Sequence, residues 1–191
     1  MLTELVYRRF SRPLAKLLSK TSITPNTVTF IATAVGLVSA AVIATHEIYL
    51  GVLILLISQI LDCTDGDLAR LTGKTTKKGA YLDRVFDRFV DAAIVIGIVY
   101  LYPVYLWLAG FLAAVGSFGV SITRAMAEAE GAECKVGIGG RDTRLAIIMV
   151  GLVAGHTMQK EVFVYSLTLW VVAILGFITT FHRMIHTIKQ L

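Results

Sequence analysis

Long apolar runs separated by short polar segments make up most of this chain. Most of the runs are close to the roughly 20 residues that an α-helix needs to cross about 30 Å of hydrocarbon. We therefore predict six membrane-spanning helices, with no room for a soluble domain between them. Their predicted bounds are Asn26 to Thr45, Leu50 to Leu71, Gly79 to Leu101, Val104 to Met126, Thr143 to His156 and Val162 to Ile185.

The first twenty residues have a different pattern, in which leucines and basic residues fall on separate sides of a helix. This pattern is typical of a helix that lies in the membrane interface. The predicted fold is an all-α integral membrane protein, a single domain over residues 1–191 with an interfacial helix at 1–20 and a six-helix bundle at 26–188. The apolar side of the first helix is predicted to carry Leu2, Leu5, Leu14, Leu17 and Leu18.

Composition agrees with a membrane protein, because 56% of the residues are hydrophobic and only 16% are charged. A soluble domain usually carries about 25% charged residues. With six spans, seventeen of the eighteen Lys and Arg residues fall on the side that holds both termini, and only Lys160 falls on the other. The positive-inside rule then predicts cytoplasmic termini. The formal net charge of +5 is explained by this topology, and we expect no nucleic-acid partner.

A cluster of aspartates interrupts the apolar pattern at the facing ends of the second and third spans. Each ionised group inside a membrane helix costs about 2.5–3.5 kcal/mol on insertion scales, so the cluster needs compensation. Nearby arginines supply part of it, and bound cations would supply more. The six aspartates are Asp62, Asp65, Asp67, Asp83, Asp87 and Asp91.

The spacing of these aspartates predicts that some of them converge. Asp62 and Asp65 are three residues apart and Asp83 and Asp87 four apart, so each pair projects from one face of its helix. The short turn at 73–78 would make the two helices antiparallel neighbours. Converging carboxylates repel one another unless protons or metal ions neutralise them, and all-oxygen ligation favours magnesium, manganese or calcium over zinc. A metal site, a proton or cation pathway and a buried ion-pair network all remain open from geometry alone.

The residues between the two pairs distinguish these alternatives. From Asp62 the chain reads DCTDGDLARLTGKTTKKGAYLDRVFDR, which matches the pattern D-x2-D-G-x2-A-R-x8-G-x3-D-x3-D. The chain thereby resembles the CDP-alcohol phosphatidyltransferase family, in outline over its whole length. The resemblance implies a membrane enzyme that transfers the phosphoalcohol group of a CDP-linked lipid donor to an alcohol and releases CMP. It also implies Mg²⁺ or Mn²⁺, with two ions expected, and a homodimer.

The resemblance also implies roles for individual residues. Asp87 would be a metal ligand and, in addition, the general base that takes the proton of the acceptor hydroxyl. Of the aspartates outside the pattern, we expect Asp67 to face the cytoplasm or Lys74, and Asp91 to form an ion pair or a cap near Arg88. The implied metal ligands are Asp62, Asp65, Asp83 and Asp87. The implied donor-binding residues are Asn26, Thr29, Gly66, Arg70, Thr76 and Gly79.

The segment from Ser121 to Leu145 is the candidate for acceptor binding. Its basic residues suit a phosphorylated acceptor, since a phosphate monoester carries roughly −1.5 to −2 charge, although ordinary positive-inside charge would also explain them. The segment is similar to that of family members that use inositol phosphate, except that Ile122 and Met126 replace a tyrosine and an arginine. Inositol 1-phosphate is therefore the expected acceptor, with a glycerol 3-phosphate acceptor or a soluble CDP-inositol donor as alternatives. The predicted contacts to the acceptor phosphate are Ser121, Arg124, Arg141 and Arg144.

Overall fold

The computed structural model describes residues 7–134 and 136–191, and within these ranges the chain forms seven helices and no strand. Each predicted span corresponds to one helix, with ends that differ by at most three residues. Leu2, Leu5 and Lys135 lie outside the described residues. The helices are α1 (Arg8–Leu18), α2 (Pro25–Ala44), α3 (Ile48–Leu71), α4 (Lys77–Leu101), α5 (Pro103–Ala129), α6 (Arg141–Thr157) and α7 (Glu161–Ile188).

Four of the described helices, α2, α3, α5 and α7, are long and apolar enough to cross a membrane. The other two predicted spans differ from these for identifiable reasons. Helix α4 has 25 residues but carries a run of charges between Arg84 and Asp91, and α6 has only 17 residues. The chain is thus a multi-pass membrane protein, and the count of six spans remains a prediction.

The chain divides into two compact units, Met1–Gly97 and Ile98–Leu191. In the first unit, α2 begins at Pro25, one residue before the predicted start. Thr24 caps it by accepting a hydrogen bond from the Thr27 amide at 3.2 Å, and Pro25 occupies the first helical position. Helix α3 lies against α2, with the Ser58 hydroxyl donating to the Ala32 carbonyl at 2.9 Å. Helix α1 joins this pair through an apolar cluster of Ala15, Val28 and Leu68.

Helix α4 contacts α2 closely in the same unit. The rings of Phe30 and Phe86 have centroids 5.1 Å apart. Further along, a Cβ added at Gly97 would lie 2.5 Å from the Ala40 carbonyl oxygen. Only a residue without a side chain allows this approach, as is common where membrane helices pack. Helix α2 therefore contacts both helices that carry the aspartates.

The second unit is built on the contact between α5 and α7. A Cβ added at Gly176 would lie 2.7 Å from the Gly116 carbonyl carbon, so two glycines let these helices meet at the backbone. At the start of α7, one carboxylate oxygen of Glu161 accepts a hydrogen bond from the Tyr102 hydroxyl. The other lies 2.6 Å from Nδ1 of His156. The hydrogen bond to Glu161 raises the pKa of Tyr102. These contacts join the α4–α5 and α6–α7 turns.

Candidate active site

Three carboxylates come together where α3 and α4 approach their connecting turn. Helix α3 ends at Leu71 and α4 begins at Lys77, and Gly73 takes a left-handed backbone (φ +66°) that lets the chain reverse. Ligand oxygens of Asp62, Asp83 and Asp87 all lie within 4.8 Å of one another, and the three side chains are half-buried. The structure thus brings together one carboxylate of α3 and two of α4.

The fourth predicted ligand, Asp65, is not part of this three-carboxylate group in the described chain. It is buried, with 7% of its surface exposed, and it accepts a hydrogen bond from the Thr29 hydroxyl of α2. Asp65 nevertheless lines the same cavity as Asp83. Its position is therefore set by α2 as well as by its own helix.

The donor set of the three-carboxylate group fits a hard divalent cation. All the ligand atoms are carboxylate oxygens, which magnesium and manganese prefer, and there is no histidine or cysteine in the group. Three like charges at this separation also repel one another unless a cation or protons neutralise them. The residues present are therefore consistent with the metal site that the sequence predicts.

Arg88 links the group to the next turn of α4. Its guanidinium lies 3.4 Å from a carboxylate oxygen of Asp87 and 3.1 Å from one of Asp91. The expected ion pair of Asp91 is therefore confirmed, and Asp91 is itself buried. Arg88 provides positive charge beside Asp87 without belonging to the family pattern.

A cavity of about 220 Å³ lies beside the carboxylates, at the start of α2, the end of α3 and the start of α4. Because the first turn of α4 lines it, the positive end of the helix dipole favours an anion there. Arg70 and Lys74 add side-chain positive charge. All six predicted donor-binding residues line this cavity, namely Asn26, Thr29, Gly66, Arg70, Thr76 and Gly79.

The two glycines of the cavity keep its walls close together. A Cβ added at Gly79 would lie 3.0 Å from Oδ1 of Asn26 and 3.1 Å from Oγ1 of Thr76. The Gly79 amide donates to that threonine hydroxyl at 3.0 Å. A Cβ added at Gly66 would lie 3.3 Å from Nη2 of Arg70, so this glycine leaves space for the guanidinium.

The expectation for Asp67 is wrong. Its side chain does not face the cytoplasm or Lys74 but is buried, with 8% of the residue exposed. It accepts hydrogen bonds from the Ser11 hydroxyl at 2.6 Å and from Nη2 of Arg70 at 2.8 Å. The physical reason is that α1 lies against this face of α3 and covers it, which a local sequence pattern does not reveal.

The predicted acceptor residues belong to the second unit. Arg144 is buried and donates to the Gly139 carbonyl at 2.5 Å, and Arg124 pairs with Glu128 at 2.8 Å on an exposed helical face. The Ser121 hydroxyl donates to the Ser117 carbonyl at 3.3 Å. Arg141 is the first residue of α6 and is half-buried.

Sequence reasoning missed Arg183 as a residue that organises this region. It is buried near the end of α7, and its guanidinium donates to the carbonyls of Val136, at 2.9 Å, and of Val120. Arg183 therefore holds the segment after α5 against α7. A basic residue near the end of an apolar helix is ordinarily interfacial, and only the fold shows that this one points inward.

Comparison with known proteins assigns the family. The model of the CDP-alcohol phosphatidyltransferase family matches residues 22–181, and the chain belongs to this family. The archaetidylinositol phosphate synthase of Pyrococcus horikoshii is 34% identical over 179 residues, which cover 93% of this chain and 90% of that protein. The phosphatidylinositol phosphate synthase of Mycobacteroides abscessus is 29% identical and covers 99% of this chain and 88% of that protein.

Solved structures give the same result. The phosphatidylinositol phosphate synthase of Mycobacterium tuberculosis with CDP-DAG bound has a TM-score of 0.84 and 26% identity, over 94% of both chains. The same enzyme in complex with manganese and citrate has a TM-score of 0.82 and 26% identity, over 93% of this chain and 88% of that one. The chain is thus a membrane transferase with an acidic group suited to a divalent metal.

Proposed function

We propose that this protein transfers the phosphoalcohol group of a CDP-linked lipid to inositol 1-phosphate and releases CMP. The observation that carries the proposal is the cavity that all six donor-binding residues line beside the aspartates. A CDP-lipid donor agrees with the CDP-DAG bound to the mycobacterial enzyme. The inositol phosphate acceptor is supported by the names of the similar synthases. Membership of a transferase family favours this activity over a proton or cation pathway.

The donor would bind with its pyrophosphate at the start of α4. Arg70 can hold phosphate oxygens with two parallel N–H donors, which a lysine cannot do, and Asn26, Thr29 and Thr76 offer polar side chains to the nucleotide. Gly66 leaves room for the Arg70 guanidinium, and Gly79 for the side chains of Asn26 and Thr76. We propose Mg²⁺ or Mn²⁺ as the cofactor, with two ions held by Asp62, Asp65, Asp83 and Asp87. When bound, the ions would offset the charge of the pyrophosphate.

The chemical step would be a direct displacement. Asp87 accepts the proton of the acceptor hydroxyl, whose oxygen attacks the phosphorus that carries the lipid alcohol. The bond from that phosphorus to the bridging oxygen breaks, and CMP leaves with the electron pair. A phosphodiester forms, and no covalent enzyme intermediate is needed. We propose that Ser121, Arg124, Arg141 and Arg144 contact the phosphate of the acceptor.

We also propose six membrane spans with both termini and the active site on the cytoplasmic side. Helix α1 supports an interfacial position, because Ser11 and Ala15 are buried while Phe10 and Leu17 are exposed. Its remaining exposed positions include Arg9, Arg12 and Lys16, which suit anionic headgroups. A homodimer is the family-based expectation for the assembly.

The acceptor is tested by measuring CMP release from CDP-archaeol or CDP-diacylglycerol with purified protein and Mg²⁺. We expect inositol 1-phosphate to give a rate at least about tenfold above that with inositol, because hydrogen bonds between charged groups contribute about 1.5–3 kcal/mol. Glycerol 3-phosphate is the matched phosphorylated competitor. A higher rate with glycerol 3-phosphate, or with CDP-inositol as the donor, would replace this acceptor assignment. The Asp83→Asn variant controls for contaminating activity.

A further inference from the structure

We propose that Asp67 is a positioning residue for the CDP-linked donor and that it acts through Arg70. The inference rests on the proposed function, in which Arg70 binds the donor phosphates. Asp67 lies outside the family pattern and does not line the cavity itself, whereas Arg70 does. Its role would therefore be to orient a neighbouring side chain that contacts the donor.

In the Asp67–Arg70 pair, the aspartate is buried and the arginine is accessible. The Asp67 side chain is 10% exposed and that of Arg70 is 58% exposed. Both oxygens of Asp67 are engaged, since Oδ2 accepts from the Ser11 hydroxyl at 2.6 Å and Oδ1 accepts from Nη2 of Arg70 at 2.8 Å. Because its side chain is buried, the Asp67 carboxylate is a stationary acceptor for the more exposed arginine.

Gly66 leaves space for the same guanidinium, which is a second observation on its position. A Cβ at this position would lie 3.3 Å from Nη2 and 3.4 Å from Nη1 of Arg70, so the guanidinium group lies beside the glycine backbone. Asp67 holds the group by a hydrogen bond, and the missing side chain of Gly66 gives it room at the wall of the cavity. An arginine has five N–H donors, so the one used by Asp67 leaves others for phosphate.

Two effects of Asp67 oppose each other, and their difference makes the inference testable. Its hydrogen bond reduces the conformational freedom that Arg70 would lose on binding, which favours the donor. Its negative charge works against an anionic donor. The orienting effect of Asp67 outweighs its unfavourable charge, because the ion pair is close, at 2.8 Å, and its aspartate is buried. Removal of Asp67 should then weaken donor binding, although it makes the site more positive.

Binding of CDP by the purified full-length protein with Mg²⁺ tests this directly, since CDP carries the pyrophosphate without the lipid. We expect Asp67→Ala to raise the Kd about tenfold, the effect of losing a charge-assisted hydrogen bond, with kcat at saturating donor within about threefold. Asp67→Asn keeps an acceptor oxygen for Arg70 and should stay within roughly threefold of wild type. In Arg70→Ala protein, Asp67→Ala should cause no further loss.

Ser11→Ala is the matched control, because it removes the hydrogen bond from α1 to Asp67 and leaves the Asp67–Arg70 pair in place. We expect its Kd to stay within roughly threefold of wild type, even where its unfolding temperature falls as far as that of Asp67→Ala. Equal weakening by both variants would mean that α1 docking is responsible, and would overturn the inference. Tighter CDP binding by Asp67→Ala, or additive losses with Arg70→Ala, would also overturn it. Failure of the wild type to bind CDP would instead refute the donor assignment itself.

Discussion

The proposed mechanism assigns a proton transfer to Asp87, whose carboxylate has both acidic and basic neighbours. Its carboxylate lies within 4.8 Å of Asp62 and Asp83 and 3.4 Å from the guanidinium of Arg88. Arg88 also holds Asp91 at 3.1 Å. The two aspartates therefore share a cationic neighbour, but only Asp87 belongs to the three-carboxylate group.

Because only Asp87 belongs to the three-carboxylate group, an Asp-to-Asn substitution should slow CMP release far more at Asp87 than at Asp91. Asp87→Asn should lower the rate of CMP release by about 10²-fold or more, since general-base catalysis contributes typically 10²–10⁴-fold, while most CDP binding is retained. Asp91→Asn makes the same change outside the three-carboxylate group. We expect it to leave the rate within about threefold, because Arg88 keeps its contact with Asp87, and the loss of the buried Asp91 pair lowers stability instead. Steady-state CMP release and CDP binding measure both effects. An active Asp87→Asn enzyme would refute the general-base assignment.

At the scale of the helix, α7 is the element whose direction defines the topology. Lys160 precedes its first residue and Lys189 follows its last, and both are exposed. With an even number of spans, the C-terminal end of α7 lies on the same side as the N-terminus. In the proposed topology, which follows the positive-inside rule, that side is the cytoplasm, and we expect Lys160 to be the basic residue outside.

Single-cysteine variants test this direction. Lys160→Cys and Lys189→Cys are each placed in a chain whose Cys63 and Cys134 are replaced by serine, and intact cells are treated with a membrane-impermeant thiol reagent. We expect Lys160→Cys to be labelled in intact cells and Lys189→Cys only after the membrane is opened. Each variant is the control for the other. The reverse labelling would place the aspartates on the opposite side from the one proposed.

Helix bounds were well predicted because the hydrocarbon thickness imposes both a length and an apolar composition on each span. The largest differences are at α5 and α7, which continue to Ala129 and Ile188. Both helices extend past the apolar run into polar residues, where the membrane no longer determines the pattern. Helix α4 differs in another way. Its bounds were predicted within two residues, but the charged residues of the site make it less apolar than the other long helices.

At the scale of the molecule, the sequence predicts contacts between residues that are close together in the chain better than contacts between distant ones. The approach of Asp62 to Asp83 and Asp87 follows from their spacing across two adjacent helices. The donor-binding residues were predicted from the resemblance to the family, and two of them, Asn26 and Thr29, lie on a third helix, α2. The hydrogen bond from Ser11 to Asp67 joins residues 56 positions apart, and that from Arg183 to Val120 joins residues 63 apart. No periodicity of the sequence contains such contacts, so Asp67 was misplaced and Arg183 was missed.

The central claim is a metal-dependent transfer of a phosphoalcohol group from a CDP-linked donor, and one labelling measurement tests it most directly. CDP-diacylglycerol labelled at the lipid-bearing phosphorus is incubated with inositol 1-phosphate and the purified wild-type protein. We predict that the label appears in a new phosphodiester lipid while an equal amount of unlabelled CMP is released. The transfer should stop with EDTA and resume with Mg²⁺ or Mn²⁺. Label that stays in the donor, or transfer that continues unchanged in EDTA, would contradict the account.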